Sequence, residues 1–170
     1  MDPGSAAHHV VLHRARDDIA LDPRTHMPGF THTRRLTIEW GHCDPAGIVF
    51  NPRFFEFFDW STALLLERAL GLNKSAMIAA HDLVGIPLVD TRARFLAPAR
   101  FGDEVEIVST VSELGRTSFS VGHRLTKAGV PCVEGEEKRV WAGRDPADPT
   151  RLKGKPIPDE VRQRLAGQVT

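Results

Sequence analysis

The stretch from Asn51 to Leu70 constrains this chain most, because apolar residues fall almost all the way round it when it is wound as a helix. Phe54, Phe55, Phe57, Phe58 and Trp60 crowd its first turns, and Ala63, Leu64, Leu65 and Leu66 follow. A helix of that kind is normally buried rather than laid on a surface. Its ends are marked as well. Asn51 suits an N-cap, Pro52 the first helical position, and Gly71 a stop. Arg53, Glu56, Asp59, Glu67 and Arg68 interrupt the apolar residues, and no apolar run in the chain reaches the ~18 residues of a membrane span. The helix is therefore expected inside a core that the rest of the chain must build.

The rest reads as strands. Leu36, Ile38 and Trp40 alternate with Thr37 and Glu39, the period of a half-buried strand. After the helix, Val84 to Leu96, Glu104 to Leu114, Ser118 to Lys127 and Val130 to Ala142 show partial alternation and β-branched enrichment. Gly102-Asp103, Gly115-Arg116 and Ala128-Gly129 supply turns, so neighbouring strands are expected to form antiparallel meanders. Asp159 to Leu165 reads as a small closing helix. Strand, long apolar helix, then four strands predict an α+β fold, with an antiparallel five-stranded sheet wrapped around a central helix. Residues 1–31 differ: His8, His9, His13 and His26 stand among prolines and glycines without a sustained period. They are expected to be a flexible arm, with room for a short helix near Val10–Ala20, and their irregular histidine spacing does not specify a metal site. The expected organisation is an arm over 1–31 and one domain over 32–170.

Composition narrows the function. A chain of 170 residues suits one domain. Its 22 Lys and Arg balance 22 Asp and Glu, so the formal net charge is zero. Proteins that mainly hold nucleic acid or anionic membrane carry a basic excess, so neither partner is expected. Zero net charge also removes the self-repulsion that keeps copies apart. Cys43 and Cys132 fit no metal-ligand spacing and are too few for a disulfide framework, which fits free thiols in a reducing compartment. The first residues lack a basic-then-apolar signal pattern, and a cytoplasmic location is expected.

Chemistry concentrates in the segment Gly41-His42-Cys43-Asp44-Pro45-Ala46-Gly47-Ile48-Val49-Phe50-Asn51-Pro52, which joins the first strand to the apolar helix. The helix start offers unpaired backbone N–H groups and a positive dipole end, able to hold a carbonyl oxygen as it gains negative charge. Ala46 and Gly47 let a substrate approach the backbone closely. Asp44 is a carboxylate placed just before those donors, able to attack an acyl carbon or to activate a water that does. A turn aspartate bonded to its own backbone is the plainer reading of an Asp-Pro pair, and spacing alone favours it.

That segment, with Trp40 before it, resembles the signature of the 4-hydroxybenzoyl-CoA thioesterase family. Leu83-Val84-Gly85-Ile86-Pro87-Leu88-Val89, Arg94 to Asp103, Gly115-Arg116-Thr117-Ser118-Phe119 and Lys138-Arg139-Val140-Trp141-Ala142 resemble later family segments in the right order. The resemblance spans Thr33 to Leu165 and implies the hotdog fold. It implies an acyl-CoA thioesterase acting on an aromatic or short-chain acyl group, with Asp44 as nucleophile or general base, two routes the sequence does not separate. It implies that the N–H groups of Phe50 and Asn51 polarise the thioester carbonyl, and that Pro45, Gly47, Ile48 and Asp59 meet the substrate. Asp59 could contact a polar acyl group or order the loop and a subunit interface, and the ordering role is favoured. For the nucleotide end of CoA the resemblance points to Arg116, Thr117 and Ser118, with Arg144, Arg151 and Lys153 as weaker candidates. No metal or redox cofactor is implied, since coenzyme A is part of the substrate. The partners implied are the acyl-CoA and further copies of the chain, as a homodimer or homotetramer with sites at the subunit interface.

This chain departs from the family pattern at Asn51, where relatives often carry Tyr or His, and it contains no tyrosine. Glu56 and His42 read as helix-face and loop residues, and His123 as an exposed or satisfied strand histidine. The alternative function is a non-catalytic module that binds acyl-CoA or acyl-carrier protein, for which Asp44 would not be required. A hotdog dehydratase ranks last, because His42 precedes the helix rather than lying in it.

Overall fold

The computed structural model describes residues 29–168. The expected arm, its histidines and its possible short helix lie outside them, save residues 29–31. The described chain opens with strand β1 (Thr31–Thr37), a short 3-10 turn (Trp40–His42) and the long helix α1 (Asn51–Leu70). Helix α2 (Lys74–Ala80) and strands β2 (Leu88–Phe95), β3 (Glu104–Leu114), β4 (Ser118–Lys127) and β5 (Val130–Val140) follow. A small hairpin, β6 (Ala142–Arg144) and β7 (Leu152–Gly154), precedes the closing helix α3 (Asp159–Leu165).

The five long strands form one antiparallel sheet in the order β1-β3-β4-β5-β2. The expected meander holds for β3, β4 and β5. It fails between β2 and β3, which lie on opposite sides of the sheet. Gly102-Asp103 is a turn, but the segment between Phe95 and Glu104 carries the chain across the end of the sheet instead of folding it back as a hairpin. α2 and the β6–β7 hairpin were not expected.

α1 lies along the sheet in the direction of β3. Its first turns, through Phe54, Phe57 and Phe58, pack with Val105, Ile107, Leu125 and Val133. Its last turns, through Leu65, Leu66 and Leu70, pack with Val111, Val121, Phe119 and Trp141. Burial is one-sided, however. Trp60 is 62% exposed, and Phe55 and Leu64 are only half-buried. The all-round hydrophobicity that predicted full burial is thus satisfied in part within one chain.

The two apolar clusters do not merge. Between Ile107 and Val111 on β3 stands Ser109, between Leu125 and Val121 on β4 stands His123, and between Val133 on β5 and Trp141 just beyond its end stand Glu137 and Arg139. Thr62 meets them from α1, and all five are buried. A polar belt thus crosses the middle of the helix–sheet interface. Gly135 sits beside it for a steric reason: a Cβ there would lie 2.4 Å from Cε2 of Phe58. Phe58 has little freedom to retreat, because its ring is stacked on His123 at 4.7 Å. Gly135→Ala is expected to destabilise the fold by ~1–3 kcal/mol, the usual effect of overpacking. A thermal melt would register this, and an unchanged midpoint would show that Phe58 has room to move.

Candidate active site

The Asp44 segment folds as its residues dictate. Pro45 supplies the fixed φ of a turn's second residue, and Gly47 takes the left-handed conformation, with φ of 73°, that closes such a loop. Gly47 N–H donates to the Asp44 carbonyl at 2.9 Å, Asp44 N–H donates to the Ile48 carbonyl at 2.9 Å, and Cys43 bridges Val49. The result is a tight hairpin with Asp44 at its entry. Val49 N–H donates to Ala99 at 2.9 Å and Ile48 bridges Arg100, so the hairpin rests on the segment before β3. Asp103 fastens that segment in turn, accepting from the Arg100 N–H at 2.7 Å and from Lys127 Nζ at 3.0 Å. Burial works against the charged form of Asp103, but the Arg100 amide and Lys127 outweigh it and hold the carboxyl below its ordinary range.

Asp44 is half-buried. Its Oδ1 accepts the Ala46 N–H at 2.8 Å, the bond expected of a turn aspartate. The plainer reading of Asp44 is therefore realised, and it leaves room for the chemical one. One oxygen fixes the side chain, while the other makes no hydrogen bond among the described residues. The helix start needs a correction. Phe50 N–H donates to the His42 carbonyl at 2.9 Å, so it is engaged and does not face a substrate. The Phe50 ring, by contrast, is 51% exposed. Asn51 N–H has no acceptor among the described residues and stands alone as the open amide beside Pro52, which has none to offer. His42 is a loop residue, as expected: its Nδ1 accepts the Glu39 N–H at 2.9 Å and its ring meets Phe57 edge-on at 4.9 Å.

Pro45 and Gly47 are exposed and Ile48 half-buried, all on the Asp44 hairpin. Asp59 lies on the open side of α1 and forms an ion pair with Arg139 at 2.6 Å. With Thr62, Leu66, Met77, Ile86 and Arg139 it lines a cleft between α1, α2 and the approach to β2. The nucleotide candidates lie elsewhere. Arg116 and Thr117 stand in the β3–β4 turn, Ser118 opens β4, and Thr117 packs against Gly154 of the hairpin that also carries Arg144. That end of the sheet is one full length of β3, roughly 33 Å, from the end that holds Asp44. One chain brings Asp44, Asn51 and Phe50 together and places Asp59 on the same helix, but it does not bring Arg116, Thr117, Ser118 or Arg144 to them.

Sequence reasoning missed the belt. Glu137 Oε2 accepts from the Thr62 hydroxyl at 2.7 Å and from Arg139 Nε at 3.0 Å, and His123 Nε2 stands 3.5 Å away. Burial pushes the Glu137 carboxyl up, but the His123 hydrogen bond, Arg139 and Thr62 together push it down further, so it titrates below its ordinary value. Among the described residues no cluster of His, Cys, Asp and Glu is arranged to hold a metal ion, and no helix is long and apolar enough to cross a membrane.

Comparison with known proteins places this arrangement. A family model, the thioesterase-like superfamily, matches residues 38–165. The chain belongs to that family. The 4-hydroxybenzoyl-CoA thioesterase of Pseudomonas sp. (strain CBS-3) is 31% identical over 118 residues, 66% of this chain and 84% of that protein. The solved structure of the 4-hydroxybenzoyl-CoA thioesterase from the same strain superposes with a TM-score of 0.72 at 25% identity, covering 79% of this chain and 98% of that one. A gentisyl-coenzyme A thioesterase superposes with a TM-score of 0.67 at 33% identity, covering 77% of this chain and 99% of the other. The sheet wrapped on α1 is accordingly the hotdog fold.

Proposed function

We propose that this chain hydrolyses an aromatic or short-chain acyl-CoA thioester to the free acid and CoA. The observation that carries the proposal is the Asp44 hairpin, which sets a half-open carboxylate at the mouth of a helix whose Asn51 amide is unoccupied. The Asn51 N–H, at the positive end of α1, would hold the thioester oxygen as charge develops on it. Asp44 would attack the carbonyl carbon or take a proton from a water that attacks it, and the CoA thiolate would leave. Both roles follow from chemistry that needs only a carboxylate and an oriented donor, because a thiolate is a good leaving group.

Two further features favour a ring-bearing acyl group with a polar substituent. Asp59 stands eight residues beyond Asn51, about 12 Å along the helix axis. A hydrogen bond of about 2.9 Å at each end leaves about 6 Å between them, which suits one aromatic ring with its carbonyl. The similar proteins named above act on 4-hydroxybenzoyl-CoA and gentisyl-CoA, both of which fit that description. The cleft beside Asp59 encloses only about 30 Å³ in the single chain, room for a water but not for an acyl group. A second copy would supply the missing wall. It would also let the Arg116 end of one chain serve the Asp44 end of another, with Arg116, Thr117 and Ser118 facing the nucleotide. β2 is an edge strand and exposed along nearly its whole length, with Leu88, Val89 and Phe95 bare, an edge that invites pairing.

The test is thiol release from a panel of benzoyl, 4-hydroxybenzoyl, phenylacetyl, short-chain and long-chain CoA thioesters, with light scattering on the same sample. Turnover of one acyl class by a dimer or tetramer is expected. A chain that binds these thioesters without cleaving any is the non-catalytic module, and a monomer that turns over at full rate removes the shared site.

A further inference from the structure

The polar belt has one exit to the surface. At its inner end Ser109 Oγ meets His123 Nδ1 at 2.8 Å, and His123 lies flat on Phe58. At its centre Glu137 Oε2 gathers Thr62, His123 and Arg139. The guanidinium of Arg139 is then held on three sides: Nε and Nη2 on Glu137 at 3.0 and 2.9 Å, Nη1 on the Ile86 carbonyl at 3.4 Å, and Nη2 on Asp59 Oδ1 at 2.6 Å. Asp59 is the member that emerges, its side chain 61% exposed, and it does so on the wall of the cleft.

Stability does not account for this arrangement. Charges taken out of water lose hydration that their pairing barely restores, and well-packed apolar residues in their place are often as stable or more so. What the belt does achieve is geometric. A lone surface carboxylate samples several rotamers, and ordering one to meet a ligand costs free energy at the moment of binding. Here the ordering is built in. Arg139 cannot swing, because Glu137 and Ile86 hold it, so Oδ1 of Asp59 is tied to a rigid donor. The second oxygen makes no hydrogen bond among the described residues and is open to a donor in the cleft.

We propose that Arg139 is a positioning residue that sets the enzyme's preference for hydroxyl-bearing acyl groups by fixing Asp59, with Glu137 and His123 as its buttress. This inference rests on the thioesterase reading above. It predicts that discrimination, not hydrolysis in general, depends on residues that touch no substrate. A site built to bond a hydroxyl rejects the analogue that lacks one, because its polar group is then left unpaired.

The experiment compares kcat/KM for 4-hydroxybenzoyl-CoA and benzoyl-CoA, a pair that differs by one hydroxyl. The wild type should prefer the first by about 10- to 100-fold, the range of a hydrogen bond to a charged group. Arg139→Met should remove most of that ratio by raising KM for the hydroxylated substrate, and Arg139→Lys should keep part of it. Asp59→Asn should remove the same ratio, and adding it to Arg139→Met should change little further, as expected for two residues acting through one contact. Where Arg139→Met does not fold, Arg139→Lys and Glu137→Gln read the same ratio. Equal losses on both substrates would reduce Arg139 to a structural part, and an unaltered ratio or a wild type without preference would overturn the inference. A wild type that cleaves other thioesters but neither of these overturns it as well, and leaves the thioesterase reading standing. A wild type that cleaves no acyl-CoA removes that reading and this inference with it.

Discussion

Asp44→Asn should lower kcat for the preferred acyl-CoA by at least ~100-fold, the low end of what a positioned acid–base group contributes. The substitution isolates charge from shape. The asparagine carbonyl can still accept the Ala46 N–H that now binds Oδ1, so the hairpin and the Asn51 amide keep their places. Lost is the negative oxygen that either attacks the thioester or removes a proton from water, and both routes need it. KM should move little, because the binding surfaces are untouched. Thiol release measured beside the wild type decides the matter. A variant within tenfold of wild type would return Asp44 to the role of a turn residue, and the non-catalytic binding module would become the better account.

The second large effect concerns stability. Glu137→Ala should cost about 3 kcal/mol, because it leaves the buried Arg139 with only the Ile86 carbonyl and the outlying Asp59 as partners and takes from the Thr62 hydroxyl its 2.7 Å acceptor. For a chain of this size that is a fall of about 6–12 °C in melting temperature. A pH series adds a signature. The Glu137 carboxyl titrates below its ordinary value of 4.5 in the folded chain, so it binds a proton less readily folded than unfolded. Its contribution is complete above that value and is lost as pH falls through the depressed one. The wild type should therefore lose stability on the acid side of pH 4.5, and Glu137→Ala should lose less there while starting lower. Melting curves that coincide at neutral pH would mean the belt carries no net interaction energy.

Much of the fold could be read from residues that obey one rule at a time. Gly71 stops α1 as expected, and β3 and β4 occupy their expected spans, but the helix starts one residue earlier than its signals said: Phe50 is the N-cap, Asn51 the first helical residue, and no side chain caps it. α2 escaped because Lys74–Ala80 is too short to show a period, although Asn73 does cap it by accepting the Ala76 N–H at 2.9 Å. The β6–β7 hairpin escaped for the same reason, with three residues in each strand. Gly102-Asp103 misled because turn chemistry says that a chain bends, not where it goes next. At the site, the turn around Asp44 was legible, since Pro45 fixes its own φ and Gly47 tolerates the left-handed conformation that other residues avoid. The engagement of the Phe50 amide was not, since it depends on how the His42 carbonyl is turned. The belt was hidden by the run Glu134-Gly135-Glu136-Glu137-Lys138-Arg139, which is charged at both parities, so alternation could not say which residues point inward. Asp59 was expected to meet a polar acyl group or to order the loop and a subunit interface; its pairing with Arg139 is a tertiary fact that no spacing announces.

The belt also acts as a key for sliding. Two apolar faces grip without preference, and a helix lying on such a sheet could slip by one turn, about 5.4 Å, and still cover grease with grease. With Thr62 bonded to Glu137 at 2.7 Å, the same slip would set a carboxylate against leucine and a hydroxyl against nothing. α1 therefore has one permitted height on the sheet. The open amide at its tip inherits that height, so a contact in the middle of the protein decides how far the helix reaches toward Asp44.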